Sequence, residues 1–187
     1  QNWECIVVDD GSIDNTDKVM NTYCQKDSRI QYHHRPKEHL PGGNGARNYG
    51  FKLSKGEYIQ WFDSDDLMCQ NYLESKVIRV RDLDYLVTNF YKLSSIELLK
   101  NQSLITNNKI IENYFLQKIP INLMGIIFSR ESLGNIKFDE SLKNAQDLDF
   151  ISRYLILNRK GSVKNIYNFK YRLHLDSITS KHKNKNV

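Results

Sequence analysis

The chain has 187 residues and carries 27 Lys and Arg against 22 Asp and Glu, a net charge of +5. Its composition, 40% hydrophobic, 11% aromatic and 26% charged, excludes a disordered chain, a collagen-like repeat and a disulfide scaffold. The longest apolar stretch, Ile121 to Phe128, is interrupted by Asn122 and Gly125 and falls far short of the ~20 residues of a membrane-spanning helix.

Residues 4–8, Glu-Cys-Ile-Val-Val, form an apolar run that stops at Asp9-Asp10-Gly11-Ser12. Such a run predicts a strand covered on both faces, as in a parallel sheet. Ser12 or Asp14 can cap a following helix, on which Val19, Met20 and Tyr23 share a face. Residues 29–34 alternate and predict a second strand. Pro41-Gly42-Gly43-Asn44-Gly45 is a loop, and Ala46, Tyr49 and Leu53 mark a helix that begins near Gly45 and ends toward Gly56.

Tyr58 to Phe62 predicts a strand that runs straight into Asp63-Ser64-Asp65-Asp66. Leu73, Val77 and Val80 predict a helix, and residues 84–91 another strand. Ile110, Ile111, Tyr114 and Phe115 mark a helix ended by Pro120. Residues 123–128 are strand-like. Leu98, Leu99, Ile110, Phe115 and Ile119 are expected in the core. A helix over Leu148, Ile151, Tyr154 and Leu155 begins near Asp147, and Phe169, Tyr171 and Leu173 alternate in a last strand. Alternating strands and helices imply a layered α/β fold. The length predicts one domain, residues 1–178, followed by a basic tail, residues 179–187.

Two predicted strands end in acidic clusters, and open α/β sheets bind ligands beyond the carboxyl ends of their strands. Crowded carboxylates repel one another, and a hard divalent cation with oxygen ligands neutralises them. Asp63 and Asp65 are two apart, so in an extended segment they point the same way and can reach one metal. Turn formation alone accounts for Asp9-Asp10. An EF-hand loop counted from Asp63 would need Gly at its sixth position, where Met68 stands. A haloacid-dehalogenase phosphatase would carry Thr where Leu67 stands. The glycine loop before Arg47 suits an anion at a helix start. No basic stripe with interleaved aromatics points to nucleic acid. Cys5, Cys24 and Cys69 have no metal spacing and read as reduced thiols of a cytosolic chain.

Three segments together resemble the family 2 glycosyltransferases. They are Ile6-Val7-Val8-Asp9-Asp10-Gly11-Ser12-Ile13-Asp14, Gly45-Ala46-Arg47-Asn48-Tyr49-Gly50 and Gly56-Glu57-Tyr58-Ile59-Gln60-Trp61-Phe62-Asp63-Ser64-Asp65-Asp66. Phe138-Asp139-Glu140, Gln146-Asp147-Leu148-Asp149 and Tyr171-Arg172-Leu173-His174 extend the resemblance over most of residues 3–178. It implies a GT-A fold, a mixed and mostly parallel sheet flanked by helices, and a nucleotide-diphospho-sugar donor, with UDP the expected nucleotide. Asp10 matches the residue that reads the base, and Asp9 lies beside it. Arg47 and Asn48 match residues lining the nucleotide and diphosphate. Asp63 and Asp65 match the Asp-x-Asp signature that holds Mn²⁺ or Mg²⁺. Asp147 matches the catalytic base of an inverting transfer. His174 is similar to a C-terminal histidine that in some members approaches the metal or diphosphate.

The resemblance further implies a glycan or lipid-linked saccharide acceptor, as for similar enzymes of bacterial surface polysaccharide synthesis. It implies a cytoplasmic location, with peripheral association at the inner membrane face. The family's Val-Ser-Val-Ile-Ile-Pro-Thr-Tyr-Asn-like first strand is not present. We therefore expect about 30 further residues upstream of Gln1, on the scale of half a crossover unit. Gln146 stands where Glu is usual, and the stretch after Lys76 is short. The competing readings are a non-catalytic nucleotide-sugar-binding module of the same fold and the phosphatase weighed above.

Overall fold

The computed structural model describes residues 2–94, 98–100, 109–116, 118–157 and 159–173; His174 and the tail 179–187 lie outside the described residues. In chain order the elements begin β1 (Cys5–Asp9), α1 (Thr16–Lys26), β2 (Ile30–His34), α2 (Gly43–Leu53) and β3 (Tyr58–Ile59). Next come β4 (Leu67–Met68), α3 (Tyr72–Val80), β5 (Tyr85–Leu93), β6 (Leu98–Lys100) and α4 (Ile110–Phe115). A 3-10 turn (Leu123–Gly125) leads into β7 (Ile126–Ser129), followed by α5 (Arg130–Leu133), α6 (Gln146–Leu155) and β8 (Gly161–Arg172). Two compact units divide the chain, residues 1–59 with 130–158 and residues 60–129 with 159–187.

In the first unit β1 and β2 pair in parallel, with Val7 opposite Tyr32 and Asp9 opposite His34. Neither Ser12 nor Asp14 is the N-cap of α1, which is Asn15 without a side-chain cap bond, but Asp14 Oδ1 accepts from the first helical N–H, that of Thr16, at 3.0 Å. The Val19–Tyr23 stripe of α1 stays exposed, because none of the described residues of the unit covers it. Gly50 lets α2 approach β1, where an added Cβ would already lie 3.4 Å from a Val8 methyl. The predicted stripe of α6 is buried at Ile151, Tyr154 and Leu155, and Phe150 stacks on Phe138 at 3.9 Å between ring centroids. Arg130 holds the α2–β3 connection, donating from Nε to the Gly56 carbonyl and from Nη2 to Ser54 Oγ, both at 2.7 Å.

In the second unit the strands run in the order β7-β5-β8-β4, with β6 on the end of β5. The β5–β8 pairing is parallel, while β4–β8, β5–β6 and β5–β7 are antiparallel. The fold is thus the expected mixed α/β class, with less parallel pairing than alternation alone suggests. The antiparallel partners are β7 and β6 beside β5, and β4 beside β8. Six consecutive residues of β5, Tyr85 to Phe90, are buried, as a strand covered on both faces requires. Tyr72, Phe90, Met124 and Phe169 form a core cluster on which Phe62, Leu73 and Tyr171 pack. Each such side chain contributes roughly 1.5–3 kcal/mol on burial.

Several expectations need correction. The strand before the acidic cluster ends at Ile59, not Phe62, so residues 60–62 lie outside any ladder. Residues 123–125 are a 3-10 turn, in which Asn122 Oδ1 accepts from the Met124 N–H at 3.1 Å. The buried face of α3 is Tyr72, Ser75, Lys76 and Val80, while Val77 is turned outward. Ile110 and Ile119 are core residues, but Leu99 and Phe115 are exposed, Leu99 because it sits on the short edge strand β6. Among the described residues no helix is long and apolar enough to cross a membrane.

Candidate functional site

The first group of site residues grows from the end of β1. Asp9 is buried (6% exposed), and its Oδ1 accepts from the Gly11 and Ser12 N–H groups at 2.8 and 2.7 Å. Gly11 has φ of +107°, a conformation that glycine adopts without strain. The Tyr32 hydroxyl, on β2, reaches Asp9 Oδ2 at 2.5 Å and Asp17 Oδ1 at 2.6 Å. The Tyr32 hydrogen bond, reinforced by the two backbone donors against the penalty of burial, holds the Asp9 carboxyl well below the usual carboxylate range. Asp9 is thus an ionised brace for the turn that presents Asp10. Asp17 and His34 bring donor atoms within 4.8 Å of Asp9 and of each other.

Asp10 lies one residue on, half exposed. One oxygen accepts from Arg35 Nε and the other from the Gly42 N–H at 2.7 Å. Arg35 also donates from Nη1 to the carbonyls of Pro36 and His39. Asp10 and Arg35 together therefore fold the loop of residues 35–42 back over the end of β1.

Glu140 anchors the same loop. It accepts from His39 Nδ1 at 2.6 Å, the Leu40 N–H at 2.7 Å and Asn48 Nδ2 at 2.8 Å. Burial acts to raise the Glu140 carboxyl, but the bonds from Asn48, His39 and Leu40 outweigh it and hold the group below its ordinary value. Asn48 is buried, and its amide also pairs with both backbone groups of Phe138 at 2.9 Å. Arg47 lies with its guanidinium carbon 5.4 Å from the centre of the Phe138 ring. Gly45 is required here, since an added Cβ would stand 2.2 Å from the Leu40 carbonyl oxygen.

Asp147 is half-buried at the second position of α6, two residues after Ala145, whose φ of +54° turns the chain into the helix. Two residues on, Asp149 pairs with Arg153 at 2.6 Å, and Arg153 donates to the Lys137 carbonyl at 2.8 Å. These bonds tie the helix carrying Asp147 to the segment carrying Glu140.

The second group lies in the other unit. Residues 63–66 form a tight turn closed by the Asp66 N–H on the Asp63 carbonyl at 3.3 Å. Arg172, the last residue of β8, clasps it. Its N–H donates to Asp66 Oδ1 at 2.7 Å, and its Nε donates to the Asp65 carbonyl. Asp65 is exposed, Asp63 half-buried and Asp66 buried. Asp66 Oδ2 is buried without a hydrogen-bond partner. Desolvation, aided by the charges of Asp65 and Asp63 and opposed by the Arg172 N–H, pushes the Asp66 carboxyl up to about 6.

This turn offers oxygen ligands of the hard type that a divalent cation takes, and one of them, Asp66 Oδ2, is buried without a hydrogen-bond partner. Among the described residues the ligand atoms that lie within 4.8 Å of one another are those of Asp9, Asp17 and His34, not those of the turn. Asp9, Asp10, Arg47, Asn48 and Asp147 belong to one unit and Asp63 and Asp65 to the other. Sequence reasoning assigned no role to Glu140, Arg35 or Asp66. Glu140 stood in the Phe138-Asp139-Glu140 run and Asp66 at the end of the acidic cluster, whereas Arg35 carried no signal.

The sequence profile of glycosyl transferase family 2 matches residues 1–136. The chain is 37% identical over 93 residues to glycosyltransferase GlyG of Streptococcus pneumoniae, covering 49% of this chain and 30% of GlyG. It is 31% identical over 144 residues to the Escherichia coli UDP-Glc:alpha-D-GlcNAc-diphosphoundecaprenol beta-1,3-glucosyltransferase WfgD, covering 73% of this chain and 53% of WfgD. Among solved structures it resembles S. aureus TarS 1-349 in complex with UDP-GlcNAc, with a TM-score of 0.74 and 22% identity, covering 95% of this chain and 51% of that one. The likeness to TarS establishes the fold as GT-A, and the chain spans about half or less of the length of these relatives. With a family profile matched over more than half of its residues, the chain belongs to glycosyl transferase family 2.

Proposed function

We propose that this chain carries donor-binding and catalytic residues of a metal-dependent, inverting glycosyltransferase. It transfers a sugar from a nucleotide-diphospho-sugar, with UDP as the nucleotide, to a hydroxyl of a glycan or lipid-linked saccharide. The observation that carries this reading is the Asp63–Asp66 turn, with its buried, unpartnered carboxylate oxygen. The UDP-GlcNAc in the TarS complex supports the choice of donor, and the diphosphoundecaprenol acceptor in the name of WfgD supports a lipid-linked acceptor. Such an acceptor favours work at the cytoplasmic face of a membrane.

Asp10 accepts the N–H of the base, and Asp9 keeps the turn beneath it rigid. Arg47 supplies positive charge toward the diphosphate, while Asn48 holds Glu140 and so the loop of residues 35–42. Asp63 and Asp65, with Asp66 beside them, hold Mn²⁺ or Mg²⁺; when bound, the metal stabilises the negative charge gathering on the departing nucleotide diphosphate. Asp147 takes the proton of the acceptor hydroxyl. The acceptor oxygen then bonds to the anomeric carbon from the side opposite the diphosphate. The bond from that carbon to the diphosphate oxygen breaks, its electron pair leaving with the nucleotide. A single displacement of this kind inverts the anomeric configuration.

The test is a calorimetric titration of UDP into the protein, first with Mn²⁺ and then with EDTA. Saturable binding that EDTA removes is the expected result. Absence of binding under both conditions overturns the reading.

A further inference from the structure

Lys76 is the deepest cation among the described residues. It lies on α3 with no exposed surface, in the middle of the core cluster of the second unit. Its Nζ stands 4.0 Å from the centre of the Tyr72 ring, 2.6 Å from Gln60 Oε1 and 2.6 Å from the Met124 carbonyl. Burial holds the amine well below its ordinary pKa. Surrounded by Tyr72, Phe169 and Met124, this position would be served at less cost by an apolar side chain, since an unneutralised buried amine opposes folding.

What the amine holds is the approach to the acidic turn. The strand ladder stops at Ile59, and residues 60–62 make no strand pairing. Side chains contribute to their placement. Gln60 Nε2 donates to the carbonyls of Trp61 at 2.8 Å and Met124 at 3.2 Å, and its oxygen accepts from Lys76. The Tyr72 hydroxyl donates to the same Met124 carbonyl at 2.6 Å, and the Phe62 ring packs edge-on against Tyr72 at 5.2 Å. Asp63 follows directly.

We propose that Lys76 is a positioning residue of the metal turn: through Gln60 it fixes the backbone leading into Asp63, Asp65 and Asp66, and so sets the affinity for a divalent cation and a nucleoside diphosphate. This rests on the metal-dependent reading above. The groups that orient metal ligands typically govern affinity by 10–100-fold, although they never touch the ion.

The experiment measures Mn²⁺-dependent UDP binding by calorimetry, together with melting temperature, for the wild type, Lys76→Met, Gln60→Leu and the double variant. Lys76→Met keeps the length and apolar stem and removes the amine. We expect it to weaken Mn²⁺-dependent UDP binding by about 10–100-fold, with the melting temperature unchanged or raised. Gln60→Leu should cause a similar loss, and the double variant should lose no more than either single one, because both break the same link. Should Lys76→Met fail to fold, Gln60→Leu decides alone.

A Lys76→Met protein that binds as the wild type does overturns the inference, whatever its melting temperature. So do losses that multiply in the double variant, or a Gln60→Leu protein with unaltered binding. If the wild type itself fails to bind UDP with Mn²⁺, the transferase reading falls and this inference with it.

Discussion

Asn48 donates from Nδ2 to Glu140 Oε1 at 2.8 Å across 92 residues of sequence. The same Glu140 carboxylate receives His39 and the Leu40 N–H, so one ionised group secures both α2 and the loop of residues 35–42. Its folded pKa is lowered. A lowered carboxylate pKa stabilises the fold above the unfolded value, near 4.5, and that stabilisation is lost as pH falls through the folded value. Glu140→Gln should therefore cost about 1.5–3 kcal/mol at pH 7, as for hydrogen bonds to a charged group. Denaturant midpoints at pH 7 and pH 3 check this. The gap between wild type and variant should narrow at the lower pH, and an equal gap at both speaks against the role of the charge.

Asp147→Asn should lower turnover by about 10²–10⁴-fold, the usual contribution of a general base, and leave UDP binding intact. Initial rates of sugar transfer, measured beside UDP titrations, separate the two effects. A variant that transfers at the wild-type rate removes Asp147 from the chemistry.

Substitutions at Asp65 and Asp66 should differ in their effect on stability when the metal is withheld. Asp65 is exposed, so Asp65→Asn should leave stability in EDTA nearly unchanged while weakening Mn²⁺-dependent donor binding. Asp66 carries a raised pKa, so its ionisation costs the fold stability as pH rises from about 3.8 to about 6. Asp66→Asn should raise the melting temperature in EDTA at pH 7, by about 2–4 °C for each kcal/mol relieved. It should also abolish the further rise that Mn²⁺ gives the wild type. Thermal melts with and without Mn²⁺ decide, and a lower melting point for Asp66→Asn in EDTA contradicts the account.

Gly45→Ala should be destabilising despite alanine's better helix propensity. The added methyl would stand 2.2 Å from the Leu40 carbonyl oxygen, so the loop or the start of α2 must shift. Overpacking of this kind costs about 1–3 kcal/mol. The unfolding midpoint reports it, and a stabilised variant would show that the loop yields freely.

The sequence disclosed the elements whose burial follows a simple period. The β5 run, the α6 stripe and the abrupt halt of β1 at Asp9-Asp10 each carry a local signal that packing preserves. The two-residue β4, the three-residue β6 and the four-residue α5 are too short to show any period. The turn at residues 123–125 lay inside an apolar run, and periodicity does not distinguish such a turn from a strand. Lys76 defeated the rule that charged helical residues face water, because its partners, Gln60 and the Met124 carbonyl, are distant in sequence. Asp10, Asp63 and Asp65 were legible as clustered carboxylates, and the turn reading of Asp9-Asp10 covers the bonds of Asp9 to Gly11 and Ser12, yet nothing local indicated that Asn48 spends its amide on the backbone of Phe138, 90 residues away. Arg35 acquires meaning only once Asp10, 25 positions away, is brought beside it, and Glu140 only once residues about 100 positions away are.

The grip of Arg172 on Asp65 and Asp66 has a consequence for biosynthesis. Its bonds join positions 106 and 107 residues apart in the chain. During translation the acidic turn emerges long before the strand that clasps it. A nascent chain halted before Arg172 holds Asp63, Asp65 and Asp66 but lacks the clasp. Completion of the clasped turn is therefore a late event in the life of the polypeptide, deferred until β8 has left the ribosome.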